Sequence, residues 1–191
     1  IASREGNEIH ITSHKTNRRW RMEFERYIRD VPDFPKPGIL FKDITPLLKN
    51  GPIFSKAVQA LALKFSEFPI DSVVGIEARG YLIGAPLAFH LGKGFIPIRK
   101  SGKLPWETIN IEYDLEYGTS RIEMHKDGIV PGENVLVVDD VLATGGTLEA
   151  SVRLIEQAGA KISGIGLLLE LSGLNGRKKL ESYHLESLIT V

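Results

Sequence analysis

The chain has 191 residues, 42% of them hydrophobic and 25% charged, and its 24 basic and 24 acidic side chains cancel. Such a length and balance predict one globular domain with a sizeable core, and they argue against a disordered chain or one built to bind a polyanion. The lack of cysteine removes disulfides, thiolate nucleophiles and cysteine-ligated zinc, while no apolar run suits a membrane span or a signal peptide, so the cytoplasm is the default expectation.

Residues 1–21 are basic in character, with His10, His14, Lys15, Arg18, Arg19 and Arg21 against Glu5 and Glu8. They are expected to be an extension, disordered or foreign to the domain; a nucleic-acid-binding arm is the sharper alternative and is not favoured, because short basic segments are unspecific. A short helix is expected from Phe24 to about Arg29, then a crossing rich in proline at Pro32, Pro35 and Pro37, then a helix near Phe54 to Phe68. Strand and helix then alternate: strand Ser72–Ile76, helix Tyr81–Leu91, and strands Phe95–Ile98, Val135–Val138 and Ile162–Leu169. This alternation predicts an α/β fold with a mostly parallel sheet flanked by helices, in which ligands bind beyond the carboxyl ends of strands. Between Lys100 and Gly132 the pattern weakens to glycines, charges and short alternating runs such as Arg121-Ile-Glu-Met124. A long segment of this kind inside a compact domain is expected to be a functional lid.

The most informative stretch is Val135-Leu-Val-Val-Asp-Asp-Val-Leu-Ala-Thr-Gly-Gly-Thr147. An apolar run fit for a buried strand leads into Asp139 and Asp140, and then into Ala143, Thr144, Gly145, Gly146 and Thr147, the turn opening a helix marked by Leu148, Val152 and Ile155. Free N–H groups and the helix dipole make such a turn an anion site, glycine permits close approach, and threonine hydroxyls add donors. Neither G-x-x-x-x-G-K-[ST] nor a dinucleotide-binding G-x-G-x-x-G after a strand is present. Ionised carboxylates only accept hydrogen bonds, so two adjacent ones suit vicinal hydroxyls, and the combination points to ribose 5-phosphate.

The same stretch resembles the phosphoribosyl pyrophosphate (PRPP) motif of the type I phosphoribosyltransferases, in the form carried by the adenine phosphoribosyltransferase family. Further matches are Pro32-Asp-Phe-Pro-Lys-Pro-Gly38 with Phe41-Lys-Asp-Ile-Thr45, Glu77-Ala-Arg-Gly80, Arg99-Lys-Ser-Gly-Lys-Leu-Pro105 and Tyr113-Asp-Leu-Glu-Tyr-Gly118, so the resemblance runs from about Met22 to Leu180. It implies a type I phosphoribosyltransferase fold over residues 22–191, with a small hood at about 22–50 and a flexible catalytic loop at about 100–125, partly an antiparallel hairpin. The implied reaction displaces pyrophosphate from ribose C1 by a ring nitrogen of adenine, giving AMP through an oxocarbenium-like transition state.

The resemblance also implies the site. Magnesium would be held mainly by PRPP, with Asp139 and Asp140 nearby and no all-protein metal site. Arg79, Arg99, Lys100 and Lys103 are the expected pyrophosphate clamp, with the Glu77-Ala78-Arg79 turn offering backbone N–H groups and Arg99 expected to reach across a homodimer interface. Glu116, in the lid, is the expected proton-handling residue beside the purine. Leu40, Phe41 and Lys42 are expected to read adenine; Lys42 stands where some relatives carry Arg, and Asp43 with Thr45 reads as a turn or helix cap. Tyr113 and Tyr117 read as loop packing or phosphate-side contacts. Two alternatives stay open: transfer to another purine base, against which the hood and Glu-Tyr-Gly segments speak, and a non-catalytic PRPP sensor, against which Glu116, Arg79 and the basic loop speak.

Overall fold

A computed structural model describes residues 20–115 and 118–191, and the chain divides at Ala60/Leu61 into two compact units. Residues 1–19 of the expected extension, and Glu116 and Tyr117 of the expected lid, lie outside the described residues.

In the first unit, residues 20–25 are helical (α1). The helix expected to reach Arg29 stops short, because Arg29–Pro32 (β1) pairs antiparallel with Leu40–Asp43 (β2). Proline at the end of β1 needs no ladder donor there. The turn between the strands is closed by Asp33 Oδ1, which accepts the Gly38 N–H at 2.7 Å, and both residues have left-handed backbone, φ +56° and +83°. Cross-strand ion pairs Lys42–Asp30 (2.7 Å) and Arg29–Asp43 (3.3 Å) join the ribbon. The Asp43 carboxylate accepts both the N–H and the hydroxyl of Thr45 at 2.9 Å, a turn that leads into Thr45–Lys49 (α2). Asn50 Oδ1 then accepts the Ile53 N–H at 3.2 Å in the first turn of Gly51–Lys64 (α3), which starts before and ends before the span the apolar spacing suggested.

The second unit is built on a seven-stranded sheet. Its strands are Ser72–Ile76 (β3), Gly94–Lys100 (β4), Thr108–Leu115 (β5), Gly118–His125 (β6), Asn134–Leu142 (β7), Lys161–Glu170 (β8) and Leu185–Thr190 (β9), in the order β5-β6-β4-β3-β7-β8-β9. Pairs from β4 through β9 are parallel, while β5 and β6 form the antiparallel hairpin expected within the loop region and join β4 at Arg99 and Lys100. Helices Arg79–Leu91 (α4) and Gly146–Gln157 (α5) follow β3 and β7. Val73, Val74, Val135 to Val138, Ile165 and Leu167 are fully buried, which accounts for the continuous apolar runs. Burying such a side chain contributes roughly 1.5–3 kcal/mol each, enough to pin the strand ends that carry the polar residues.

The sheet order sets where a ligand goes. From β3 the chain crosses to β4 on one side, and β7, β8 and β9 extend the sheet on the other. The strand order reverses between β3 and β7, and in open α/β sheets the crevice beyond the carboxyl ends at such a reversal is the binding site.

Candidate active site

Beyond the ends of β3 and β7 lies a cavity of about 380 Å³, lined by Ile76 to Arg79, from the end of β3 into α4, and by Asp139 to Leu148, from β7 into α5. It gathers Glu77, Ala78, Arg79, both aspartates and all five residues of the Ala143–Thr147 turn. Strand β7 continues through both acids to Leu142, so they stand within its carboxyl-terminal half rather than after it. The backbone is held extended there by pairing with β8, Asp139 opposite Leu167 and Val141 opposite Leu169.

Close packing places the acids. A Cβ on Gly80 would stand 2.8 Å from Asp139 Oδ1 and 3.0 Å from the Val138 carbonyl oxygen, so only glycine lets the first turn of α4 lie against the end of β7. Asp139 Oδ1 accepts the Asp140 N–H at 2.9 Å. Burial first, and then the neighbouring Asp140 charge, pushes the Asp139 carboxyl well above its ordinary range. Burial also raises Asp140, which is 4% exposed, against the opposing pull of Arg79. Arg79 Nε stands 2.9 Å from Asp140 Oδ2 as an ion pair outside hydrogen-bond alignment, so that buried oxygen accepts no hydrogen bond. Two desolvated carboxylates, one with an unused acceptor, are chemically suited to a hard cation shared with a ligand. Among the described residues no group of three or more His, Asp or Glu side chains converges to hold a metal.

The turn after β7 has the expected form. Gly145 caps α5 with left-handed backbone, φ +81°, and no side chain caps the first N–H groups of the helix, which have no intrahelical partner. Ser151 Oγ donates to the Thr147 carbonyl oxygen at 2.8 Å, and the Tyr113 hydroxyl of β5 lies 3.3 Å from Thr147 Oγ1, joining the expected lid to the turn.

Glu77 organises the basic residues. Its Oε1 accepts from Lys103 Nζ at 2.7 Å and Arg99 Nη2 at 3.2 Å, and its Oε2 from the Lys100 N–H at 3.0 Å. Burial alone would raise this carboxyl, but those bonds outweigh it and hold it down at about 2. Arg99 Nη1 also donates to the Lys103 carbonyl oxygen of its own chain at 2.9 Å. Arg99, Lys100 and Lys103 thus meet at the Glu77 carboxylate, beside the cavity and not on its lining. The Tyr81 hydroxyl, pushed up to about 12 by burial and the Glu77 charge, donates to the Ile98 carbonyl oxygen at 2.8 Å and ties α4 to β4.

Leu40, Phe41 and Lys42 lie on β2 in the first unit; Leu40 is 49% exposed, while Lys42 is engaged by Asp30. Phe34 packs edge-on to Phe41 with centroids 5.1 Å apart and is itself 51% exposed, so the accessible ring of the hood is Phe34, which the sequence reading passed over. Glu123 was also missed. Alternation within Arg121-Ile-Glu-Met124 puts it opposite the core, yet it is 4% exposed and accepts the N–H groups of Lys103 (3.0 Å) and Leu104 (3.1 Å) and the Ser101 hydroxyl (3.3 Å). The available signal was a glycine-containing loop, Ser101–Leu104, in which the Ser101 N–H donates to the Arg121 carbonyl oxygen of β6 at 3.0 Å while the Lys103 and Leu104 N–H groups need another acceptor.

The phosphoribosyl transferase domain family matches residues 47–188. Adenine phosphoribosyltransferase of Halothermothrix orenii is 55% identical over 168 residues, 88% of this chain and 99% of that protein. The crystal structure of the enzyme of that name from Thermoanaerobacter pseudethanolicus is 50% identical, with a TM-score of 0.87 over 89% of this chain and 99% of that one. That from Saccharomyces cerevisiae, complexed with an imino-altritol bisphosphate and adenine, is 40% identical, with a TM-score of 0.85 over 90% and 99%. A strand-order reversal lined by paired acids, a glycine-capped turn and a gathered set of basic groups thus coincides with likeness along nearly the whole length of these relatives, and the chain belongs to the adenine phosphoribosyltransferase family of phosphoribosyl transferases.

Proposed function

We propose that this enzyme converts adenine and PRPP to AMP and pyrophosphate, and that the cavity between β3 and β7 holds the ribose 5-phosphate part of PRPP. One observation carries the placement: the left-handed Gly145 turn is separated from Asp139 and Asp140 by two residues and lines the same cavity as Arg79. In this reading the Ala143–Thr147 turn binds the 5-phosphate and the two aspartates accept from the ribose hydroxyls. The Glu77-Ala78-Arg79 turn, Arg99, Lys100 and Lys103 bind the pyrophosphate. Adenine N9 bonds to C1 as the C1–O bond to pyrophosphate breaks with its electron pair, and the N9 proton leaves. Glu116, assigned through the family match, takes or orients that proton. Leu40, Phe41 and Lys42 serve the base, and the exposed Phe34 ring adds an apolar face for it.

Magnesium fits the two desolvated carboxylates and would neutralise the pyrophosphate charge when bound. The protein's own part is to orient the sugar, grip the phosphates and exclude water. A homodimer is supported by Leu82 and Phe89 on α4, 46% and 89% exposed and seven residues apart, hence on one face of the helix. For Arg99 to reach a partner's site it would have to leave Glu77 and the Lys103 carbonyl. Multiply charged phosphate esters do not cross a bilayer unaided, which favours a cytoplasmic enzyme; among the described residues no helix is long and apolar enough to cross a membrane.

The test offers adenine, hypoxanthine, guanine and xanthine separately with PRPP, with and without magnesium, and separates the nucleotides formed. Magnesium-dependent AMP alone is expected. A different mononucleotide would overturn the assignment of the base, and no product despite PRPP binding would overturn catalysis.

A further inference from the structure

After β8 the chain makes two 3-10 turns, Ser172–Leu174 and Gly176–Leu180, before β9. None of the chemistry above uses them, yet the second lies directly on the Ala143–Thr147 turn. A Cβ built on Gly176 would stand 2.2 Å from the Ala143 carbonyl oxygen and 2.9 Å from the Gly145 nitrogen. A Cβ on Gly145 would stand 2.7 Å from the Gly176 carbonyl oxygen. All three figures are shorter than atoms tolerate, so two backbones touch here with room for no side chain.

The touching segment is anchored. Arg177 Nε and Nη2 donate to Glu170 Oε1 and Oε2 at 2.8 and 2.6 Å, and Nη1 donates to the Leu185 carbonyl oxygen at 3.1 Å. This is the planar, two-bond fit that arginine makes with a carboxylate and lysine cannot. Glu170 is the last residue of β8, 5% exposed, and also accepts from Ser187 Oγ of β9 at 3.1 Å. At the other end, the Leu171 N–H donates to the Leu142 carbonyl oxygen at 2.9 Å, one residue before the turn begins. The Gly176 backbone is therefore held to the sheet on both sides of the place where it meets the turn. Glycine-containing turns lose much conformational freedom when ordered, so a rigid neighbour that orders them in advance lowers the cost of binding.

We propose that the Gly176–Leu180 segment is a brace for the 5-phosphate turn, with Arg177 a positioning residue that sets affinity for the phosphorylated sugar without touching it. The proposal rests on the reading that Ala143–Thr147 binds the 5-phosphate. Binding of ribose 5-phosphate and of pyrophosphate is measured by calorimetry, with steady-state kinetics and thermal unfolding alongside, on the full chain and on Gly176→Ala and Arg177→Ala. Both variants should weaken ribose 5-phosphate and raise the KM for PRPP by about tenfold, leaving pyrophosphate affinity within about twofold. Should Arg177→Ala fail to fold, Gly176→Ala, which keeps the half-buried Arg177–Glu170 ion pair, decides alone. Ribose 5-phosphate affinity unchanged despite a lowered Tm, or equal loss of both ligands, would overturn the brace. A native protein that binds pyrophosphate but not ribose 5-phosphate would instead overturn the reading of the turn itself, and the brace with it.

Discussion

Asp139 shows function and stability pulling apart within one side chain. Its carboxyl is raised by burial and by the charge of Asp140, so in the free protein near neutrality its ionised form opposes folding, and stability from this group is greatest where it is protonated. Asp139→Asn keeps an oxygen for the Asp140 N–H and removes the buried charge. Thermal unfolding should therefore rise, by about 2–4 °C for each kcal/mol relieved in a chain of this size, while the KM for PRPP increases. An unchanged or lower Tm would mean that the ionised carboxylate is well satisfied in the free protein. The adjacency of the two acids was legible in the sequence because strand, acids and glycine turn are consecutive. That they belong to β7 itself was not, because the β8 pairing that extends the strand to Leu142 is a long-range contact.

At the scale of elements, the loop between β4 and β5 owes its shape to one carboxylate. Glu123 is held below its ordinary range because, although burial works against it, the backbone N–H groups of Gly102, Leu104 and Lys103 and the Ser101 hydroxyl favour the charged form. Glu123→Ala would leave buried donors without an acceptor, at about 1–3 kcal/mol for each orphaned group. Faster hydrogen exchange at the Lys103 and Leu104 amides, a lower Tm and weaker pyrophosphate binding are expected, and unchanged exchange would show that the loop holds its shape without Glu123. Here the sequence was a poor guide. Period-two alternation assigns one face of a strand to solvent, and it has no way to register that β6 turns its Glu toward a neighbouring loop. The β1–β2 ribbon was hidden for a related reason: Pro32 and Pro35 read as chain breakers, yet one ends a strand and the other lies in the turn that reverses it. The closeness of Gly176 to Gly145 could not be read from the sequence, since the two lie far apart in the chain.

For the whole molecule, the parallel sheet and its reversal point follow from the order of apolar runs, and they explain why the polar ends of β3 and β7 face one cavity. Acid stability follows from the same layout. Glu77 is held at about 2, against an ordinary 4.5, and Glu170 is also lowered, chiefly by Arg177. A carboxyl depressed by folding adds stability that is complete above its unfolded value and is lost as pH falls through the folded one. Denaturant unfolding at a series of pH values should thus show stability declining from about pH 4.5 toward 2, with a shallower decline in Glu77→Gln; an identical slope would exclude Glu77 as a source. Glu77 has a second consequence, at the level of exchange. Its carboxylate already neutralises part of the Arg99 and Lys103 charge, so under the proposed pyrophosphate role an incoming diphosphate would not fill a bare cationic surface but would trade places with a resident anion. Singly charged solutes gain little by that trade, and a chain of zero formal net charge can keep a grip on highly anionic ligands without behaving as a general polycation.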